Sequence, residues 1–253
     1  MLHGALIALG GLAVGASLGL LGGGGTILTL PLLLALGVEA KQAIASSLAV
    51  VAATACVAAT PHARAGHVDW RAAALFGPAT ALGGFAAGHA AGSIPGEVLL
   101  LVFTGLMVAA GISMLLRRPA APSARASRPA PAAALALQGV AIGALTGLVG
   151  AGGGFLYVPA FAMLAGMPMA RAVGTSLVVI AASALAALLG HLSHVALRLD
   201  VVVPLTGAAM VGAWLGARLG RRASEAWLRR TFGVFVLAVA AWMLARSYYL
   251  RGL

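Results

Sequence analysis

From Met1 to Val38 the chain carries no lysine, arginine, aspartate or glutamate, and in the middle of this stretch stand four consecutive glycines, Gly22 to Gly25. As one straight helix, residues 4–36 would reach about 50 Å at about 1.5 Å per residue, against a hydrocarbon core of about 30 Å. Glycine in a helix interior costs about 1 kcal/mol relative to alanine. A greasy segment that is too long to cross once, and weakest at its centre, constrains the fold more than any other feature. Composition supplies its solvent. Hydrophobic residues make up 62% of the 253-residue chain and charged residues 8%, where a soluble domain carries about 25% charged residues. Such a chain cannot cover itself with polar surface, so the sequence predicts an integral membrane protein.

Only helices and closed barrels satisfy their backbone in lipid. Barrel strands alternate apolar and polar residues, and runs such as LLLVFTGLMVAAGISMLL do not. The expected fold is therefore all-α and polytopic. Eight apolar blocks fall at roughly 4–36, 43–60, 72–92, 98–116, 133–164, 172–190, 201–217 and 231–245, giving 8–10 membrane segments. Residues 117–131, RRPAAPSARASRPAP, read as a Pro/Arg-rich linker. They divide the chain into a first membrane repeat, 1–116, and a second, 132–253.

The halves repeat. GLLGGGGTILTLP (19–31) aligns without a gap on GLVGAGGGFLYVP (147–159). After one inserted residue, GVEAKQAIASSL (37–48) aligns on GMPMARAVGTSL (166–177), so Ser46 and Ser47 fall on Thr175 and Ser176, and His62 falls on His191. Internal repeats of this kind are typical of secondary transporters. The length of blocks one and five predicts that each breaks at its glycines and doubles back, as a re-entrant hairpin or as a long helix followed by a short one. The two repeats are then inverted. This topology leaves four of the 16 lysines and arginines on one side (Lys41, Arg198, Arg246 and Arg251) and the rest on the other, whereas same-direction halves split them almost evenly. The positive-inside rule therefore favours inverted repeats, both termini outside and a cytoplasmic linker.

The chemistry follows from the breaks. Unwound backbone is tolerated at membrane depth only where it is buried in protein or lines a wet cavity. A helix starting after the break, with Thr26 as its N-cap, would present free N–H groups and a positive dipole end to an anion. The candidate substrate-binding residues are Gly22, Gly23, Gly24, Gly25, Thr26, Ser46 and Ser47 in the first copy. In the second they are Gly150, Gly152, Gly153, Gly154, Thr175 and Ser176. The hydroxyls either bond back to their own helices or donate to an oxyanion without adding charge. His62 and His191 are interfacial anchors or proton carriers. Arg171 is a positive-inside residue or an anion-steering charge. Gly84/Gly88 and Gly212/Gly216 suit close helix packing, and the single cysteine, Cys56, is expected to pack as a small hydrophobe. Trp70, Trp227, Trp242, Tyr248 and Tyr249 fit an interfacial belt.

No carboxylate lies deep in a span, and no CxxC, HExxH, GxSxG or P-loop lysine is present. No catalytic residue, metal or cofactor is expected. The arginines behind the net charge of +11 sit in short loops between spans, which points to the lipid bilayer rather than nucleic acid.

The paired motifs GLLGGGGTILTLPLLLALGV with SSL, and GLVGAGGGFLYVPAFAMLAGM with GTSL, closely resemble the TauE/SafE (sulfite exporter, DUF81) family of membrane transporters over nearly the whole chain. The resemblance implies a permease of the bacterial inner membrane for sulfite, sulfonates or related organosulfur anions, moved without ATP. Ala151 stands where the first copy has Gly23, so the two breaks need not be equivalent. A passive anion channel and a transporter of small carboxylates are the alternatives, and a homo-oligomer is left open.

Overall fold

The structure, a computed structural model, describes residues 2–21, 24–116, 132–150, 152–164, 167–219, 234 and 236–245. Every regular element among them is helical. In the first half these are α1 (Leu2–Leu21), a 3-10 turn (Gly24–Leu28), α2 (Thr29–Ala35), α3 (Ala40–Arg64), α4 (Trp70–Ala90) and α5 (Gly96–Leu116), with a short 3-10 turn, Ala91–Ser93, between the last two. The second half contributes α6 (Ala132–Val149), α7 (Gly154–Leu164), α8 (Met169–His191), α9 (Leu199–Leu219) and the helical stretch Val236–Ala245. Three described helices are long and apolar enough to cross a membrane: Ala40–Arg64, Ala170–His191 and Leu199–Arg218. The expected linker, 117–131, lies outside the described residues.

The first long block does break at its glycines. α1 stops at Leu21, and the chain resumes at Gly24 in the tighter 3-10 turn. A Cβ on Gly25 would strike the backbone of Leu18, and one on Gly10 would meet the Leu32 side chain at 2.7 Å. The chain from Gly25 to Leu32 thus runs back along α1 from Leu18 to Gly10. At 7 residues, α2 is about 10 Å long, far short of the hydrocarbon core. The expected N-cap is corrected here. Thr26 sits inside the 3-10 turn, and α2 starts at Thr29 behind Leu28, which makes no side-chain cap bond. The cause is the 3-10 turn itself, which separates the glycine run from the α-helix.

The repeat extends into the packing, contact for contact. On the α1–α9 interface a Cβ on Gly15 would strike the Ala209 carbonyl, one on Gly19 the Ala213 carbonyl, and one on Gly212 the Leu12 carbonyl. On the α4–α6 interface Gly143 meets the Thr80 carbonyl, Gly147 the Gly84 carbonyl and Gly83 the Val140 carbonyl. These are the same contacts in the sequence register of the repeat. Each half therefore lends its first long helix to the other half. α1 packs on α9, α6 packs on α4, and α3 and α8 pack on each other at the centre. Gly212/Gly216 and Gly84/Gly88 are packing glycines as expected, since a Cβ there would meet carbonyls of Leu12, Ala16, Ser183 and Ala187. With no hydrophobic drive between helices in lipid, close backbone approach supplies the attraction.

The repeat-related helices α3 and α8 run antiparallel. Thr175, near the start of α8, accepts a hydrogen bond from the Asp69 N–H just past the end of α3, at 2.9 Å. At the other end Lys41, near the start of α3, donates through Nζ to the Gly92 carbonyl at 2.8 Å. Gly92 in turn abuts the ring of His194, just beyond α8. α3 supplies both apolar cores, with Ala43, Ile44 and Val50 on one side and Ala45, Leu48, Val51 and Ala55 on the other. Cys56 departs from expectation. It is exposed on α3, because it points away from both cores.

Candidate functional site

The second glycine break sits against the middle of the molecule. Gly150, Gly152 and Gly153 hold φ values of 72°, 61° and 75°, a left-handed backbone that costs other residues about 1–2 kcal/mol. Space forbids side chains as well. A Cβ at Gly150 would meet Ile44 at 2.8 Å, and one at Gly152 would enter the Val51 side chain. The break of the second half is thus pressed onto α3 of the first. Gly154 opens α7.

The four repeat-related hydroxyls are all fully buried, but their partners differ. Ser47 shares its single hydrogen between the carbonyls of Gly150 (2.6 Å) and Ile44 (2.8 Å), so it stabilises the break rather than facing away from it. Ser176 donates to its own helix at the Val173 carbonyl, 2.8 Å away. Thr175 accepts from Asp69, whose carboxylate caps α4 by accepting the Ala72 N–H. Ser46 Oγ has no hydrogen-bond partner, and neither has Thr29 Oγ1 at the start of α2. Buried polar atoms in proteins nearly always find a partner in the chain, in water or in a ligand. Two orphaned hydroxyls on the α2–α3 hairpin are therefore the polar atoms here that a ligand would complete.

Thr29 was not among the sequence candidates. The signal for it was present, because the repeat register places Thr29 on Tyr157. Tyr157 is fully buried, and its OH lies 2.8 Å from Ser183 Oγ and 3.5 Å from Thr146 Oγ1, tying α7 to α8 and α6. Threonine at the equivalent place is too short for such a bridge.

The remaining candidates divide. Gly24, Gly25 and Thr26 lie in the 3-10 turn, with Gly25 and Thr26 buried. Gly22 and Gly23 lie outside the described residues. His191 is buried, and its Nε2 lies 2.9 Å from the Gly147 carbonyl. A carbonyl only accepts, so that nitrogen carries the proton and the ring anchors α8 to the end of α6. His62, its repeat mate, is half-buried with its ring 6.3 Å from that of His67. Arg171 is exposed at the start of α8, apart from the glycine breaks in the helix order. An open groove of about 270 Å³ runs between Cys56, Thr60 and Ala63 of α3, Trp70, and Val178 and Ala181 of α8. Its lining is largely apolar, and the Thr60 hydroxyl is already donated to the Cys56 carbonyl at 3.1 Å. Among the described residues no cluster of three or more His, Cys, Asp or Glu is arranged to hold a metal.

Two glycine breaks, a crossing of repeat-related helices and unpartnered hydroxyls beside them make up the centre of this molecule. Among known proteins, the family model described as sulfite exporter TauE/SafE matches residues 7–243. The chain belongs to the TauE/SafE family. It is 39% identical over 245 residues, 94% of each chain, to a "Probable membrane transporter protein" of Xylella fastidiosa strain 9a5c, and 38% identical over the same span to that of strain Temecula1. It is also 27% identical over 211 residues, 81% of this chain and 85% of the other, to the "Probable membrane transporter protein YdhB" of Bacillus subtilis. No solved structure matches it. This TauE/SafE member is accordingly a membrane protein of a transporter family, built for a lipid environment.

Proposed function

We propose that this protein is a secondary transporter of a small anion, of the class of sulfite, sulfonates and related organosulfur anions. The anion binds between the two glycine breaks. The observation that carries the reading is the pair of fully buried, unpartnered hydroxyls, Ser46 and Thr29, on the hairpin that follows the first break. Hydroxyls and backbone N–H groups stabilise an oxyanion without placing a fixed charge in the membrane, so the anion can both enter and leave. The two halves are inverted repeats in the bacterial inner membrane, with both termini outside and residues 117–131 in the cytoplasm. Support for this comes from the antiparallel run of α3 and α8 and from the bias of lysine and arginine. Residues 1–116 and 132–253 are the two repeats. Exchange of access follows from rocking one repeat against the other around the central site.

Counterflow tests the reading. In liposomes of purified protein preloaded with unlabelled sulfite, labelled external sulfite accumulates transiently and at a saturable rate. Flux that neither saturates nor responds to the preload identifies a passive channel and defeats the transporter reading. The same assay with sulfoacetate, thiosulfate and small carboxylates ranks the substrates.

A further inference from the structure

The open groove between α3 and α8 leads outward to arginine on every element that lines it. On α3 the lining residues Cys56, Thr60 and Ala63 follow one another at helical spacing, and the same face continues to Arg64, one turn past Thr60. On α8 the lining residue Val178 shares a face with Arg171, two turns nearer the helix start. Trp70 closes the groove where α4 begins, and Arg71 follows it in the chain. These helix ends meet. A Cβ on Gly174 of α8 would strike the His67 carbonyl in the α3–α4 turn, and Thr175 accepts the Asp69 N–H at 2.9 Å. Arg64, Arg71 and Arg171 are all exposed.

Apolar wall and cations occupy successive levels, since Arg64 stands about 12 Å beyond Cys56 along α3 at about 1.5 Å per residue. Asp69, the carboxylate of the α3–α4 turn, accepts the Ala72 N–H. None of the three arginines forms an ion pair with a described carboxylate. Three permanent cations against one carboxylate leave this rim positive. The repeat supplies a contrast at the other end of the molecule. There Leu185, Leu189 and Leu192 stand where Cys56, Thr60 and Ala63 do, and all three leucines are exposed. Gln42, Ser193 and Asp200 stand where Arg171, Arg64 and Arg71 do. The related place thus carries a ridge of leucine instead of small lining residues, and no arginine beyond it.

We infer that this groove and its arginines hold one anionic phospholipid of the surrounding leaflet. An acyl chain lies along Cys56, Ala59, Val178 and Ala181, and the headgroup phosphate meets Arg64, Arg71 and Arg171. Hydrocarbon suits a wall that offers it no free hydrogen-bond donor, because the Thr60 hydroxyl is spent on its own helix. Arginine suits the headgroup, since its planar fork binds phosphate through two parallel N–H···O bonds. An anionic lipid gains more from this rim than a zwitterionic one, whose ammonium offsets its phosphate. Trp70 sits between the two levels, where an amphipathic ring belongs at a membrane interface. The lipid touches α3 of the first half and α8 of the second, so it clasps the two halves at one end of the molecule only. It lies apart from the buried hydroxyls Ser46 and Thr29, and stands or falls without the anion reading.

Cys56 reports on the groove, because it is the only cysteine of the chain, is exposed, and forms part of the lining. In the full-length protein purified in detergent, labelling of Cys56 by N-ethylmaleimide is timed while phosphatidylglycerol or phosphatidylcholine with the same acyl chains is added. One basic residue near an anionic surface is worth about fivefold in affinity, so the wild type is expected to reach half-protection at about tenfold less phosphatidylglycerol than phosphatidylcholine. The Arg64→Gln/Arg171→Gln double variant is expected to be protected equally by the two lipids. Arg171→Gln alone, at an exposed position, reads the same effect at reduced size if the double variant lacks a cooperative melting transition. Glycerol 3-phosphate, which carries the charge without the chains, is expected to give no protection. Equal protection of the wild type by both lipids, variants that keep the full preference, or protection by glycerol 3-phosphate alone overturns the lipid site. Protection that follows protein concentration instead of lipid assigns the groove to a second copy of the chain and overturns it as well.

Discussion

A methyl group added at Gly153 would collide with the Tyr157 ring and impose a side chain on a φ of 75°. Gly153→Ala is therefore expected to cost about 1–3 kcal/mol of stability, read as a fall in the melting temperature of the purified protein. Gly77, inside α4 with open space where its Cβ would lie, is the contrast. There Gly77→Ala should be neutral or stabilise by up to about 1 kcal/mol through helix propensity. The two adjacent serines separate in the same way. Ser47→Ala strips the Gly150 carbonyl of its hydroxyl donor and is expected to cost about 1–3 kcal/mol. Ser46 has no partner to lose, so Ser46→Ala should leave the melting temperature nearly unchanged while weakening anion binding. Equal losses of stability at both positions would count against Ser46 as a ligand group. Nothing in the sequence distinguishes the two serines, because the repeat gives them the same spacing. The direction each faces is set by how α3 rotates against the second break.

At the scale of elements, the glycine runs do different work in the two halves. The first ends in a 3-10 turn that folds α2 back on α1, and the second presses onto α3. The break and the fold-back were legible, since no single crossing accommodates so long an apolar block. The 3-10 turn after the first break was not, because it depends on Gly25 seating against Leu18. The turn after α8 also responds to pH. His194 is held below the usual histidine range, by partial desolvation first and then by Lys41 and His89, so the unfolded chain binds the proton more readily than the folded one. Stability of the anion-free protein is then expected to be full at neutral pH and to fall as pH drops through the ordinary histidine range near about 6.5. Melting curves across that range, compared with His194→Gln, should show a shallower acid loss in the variant.

At the scale of the whole molecule, each half gives its first long helix to the other, so neither half closes its own core. Separately expressed residues 1–116 are expected to lack a cooperative unfolding transition, and co-expression with 132–253 should restore it. Topology has its own measurement. In a Cys56→Ser background, a cysteine placed in the 117–131 segment should resist a membrane-impermeant maleimide added outside cells, whereas one at either terminus should react. The sequence by itself determined the solvent, the helical class, the repeat and the place of the breaks. Those follow from local composition and length, which the bilayer reads directly. Tertiary structure alone decided the pairing of α1 with α9 and α4 with α6, the orphaned Ser46 and Thr29, and the groove between α3 and α8. These depend on which helix faces which across more than a hundred residues of chain, where close backbone contact rather than sequence neighbourhood sets the partner.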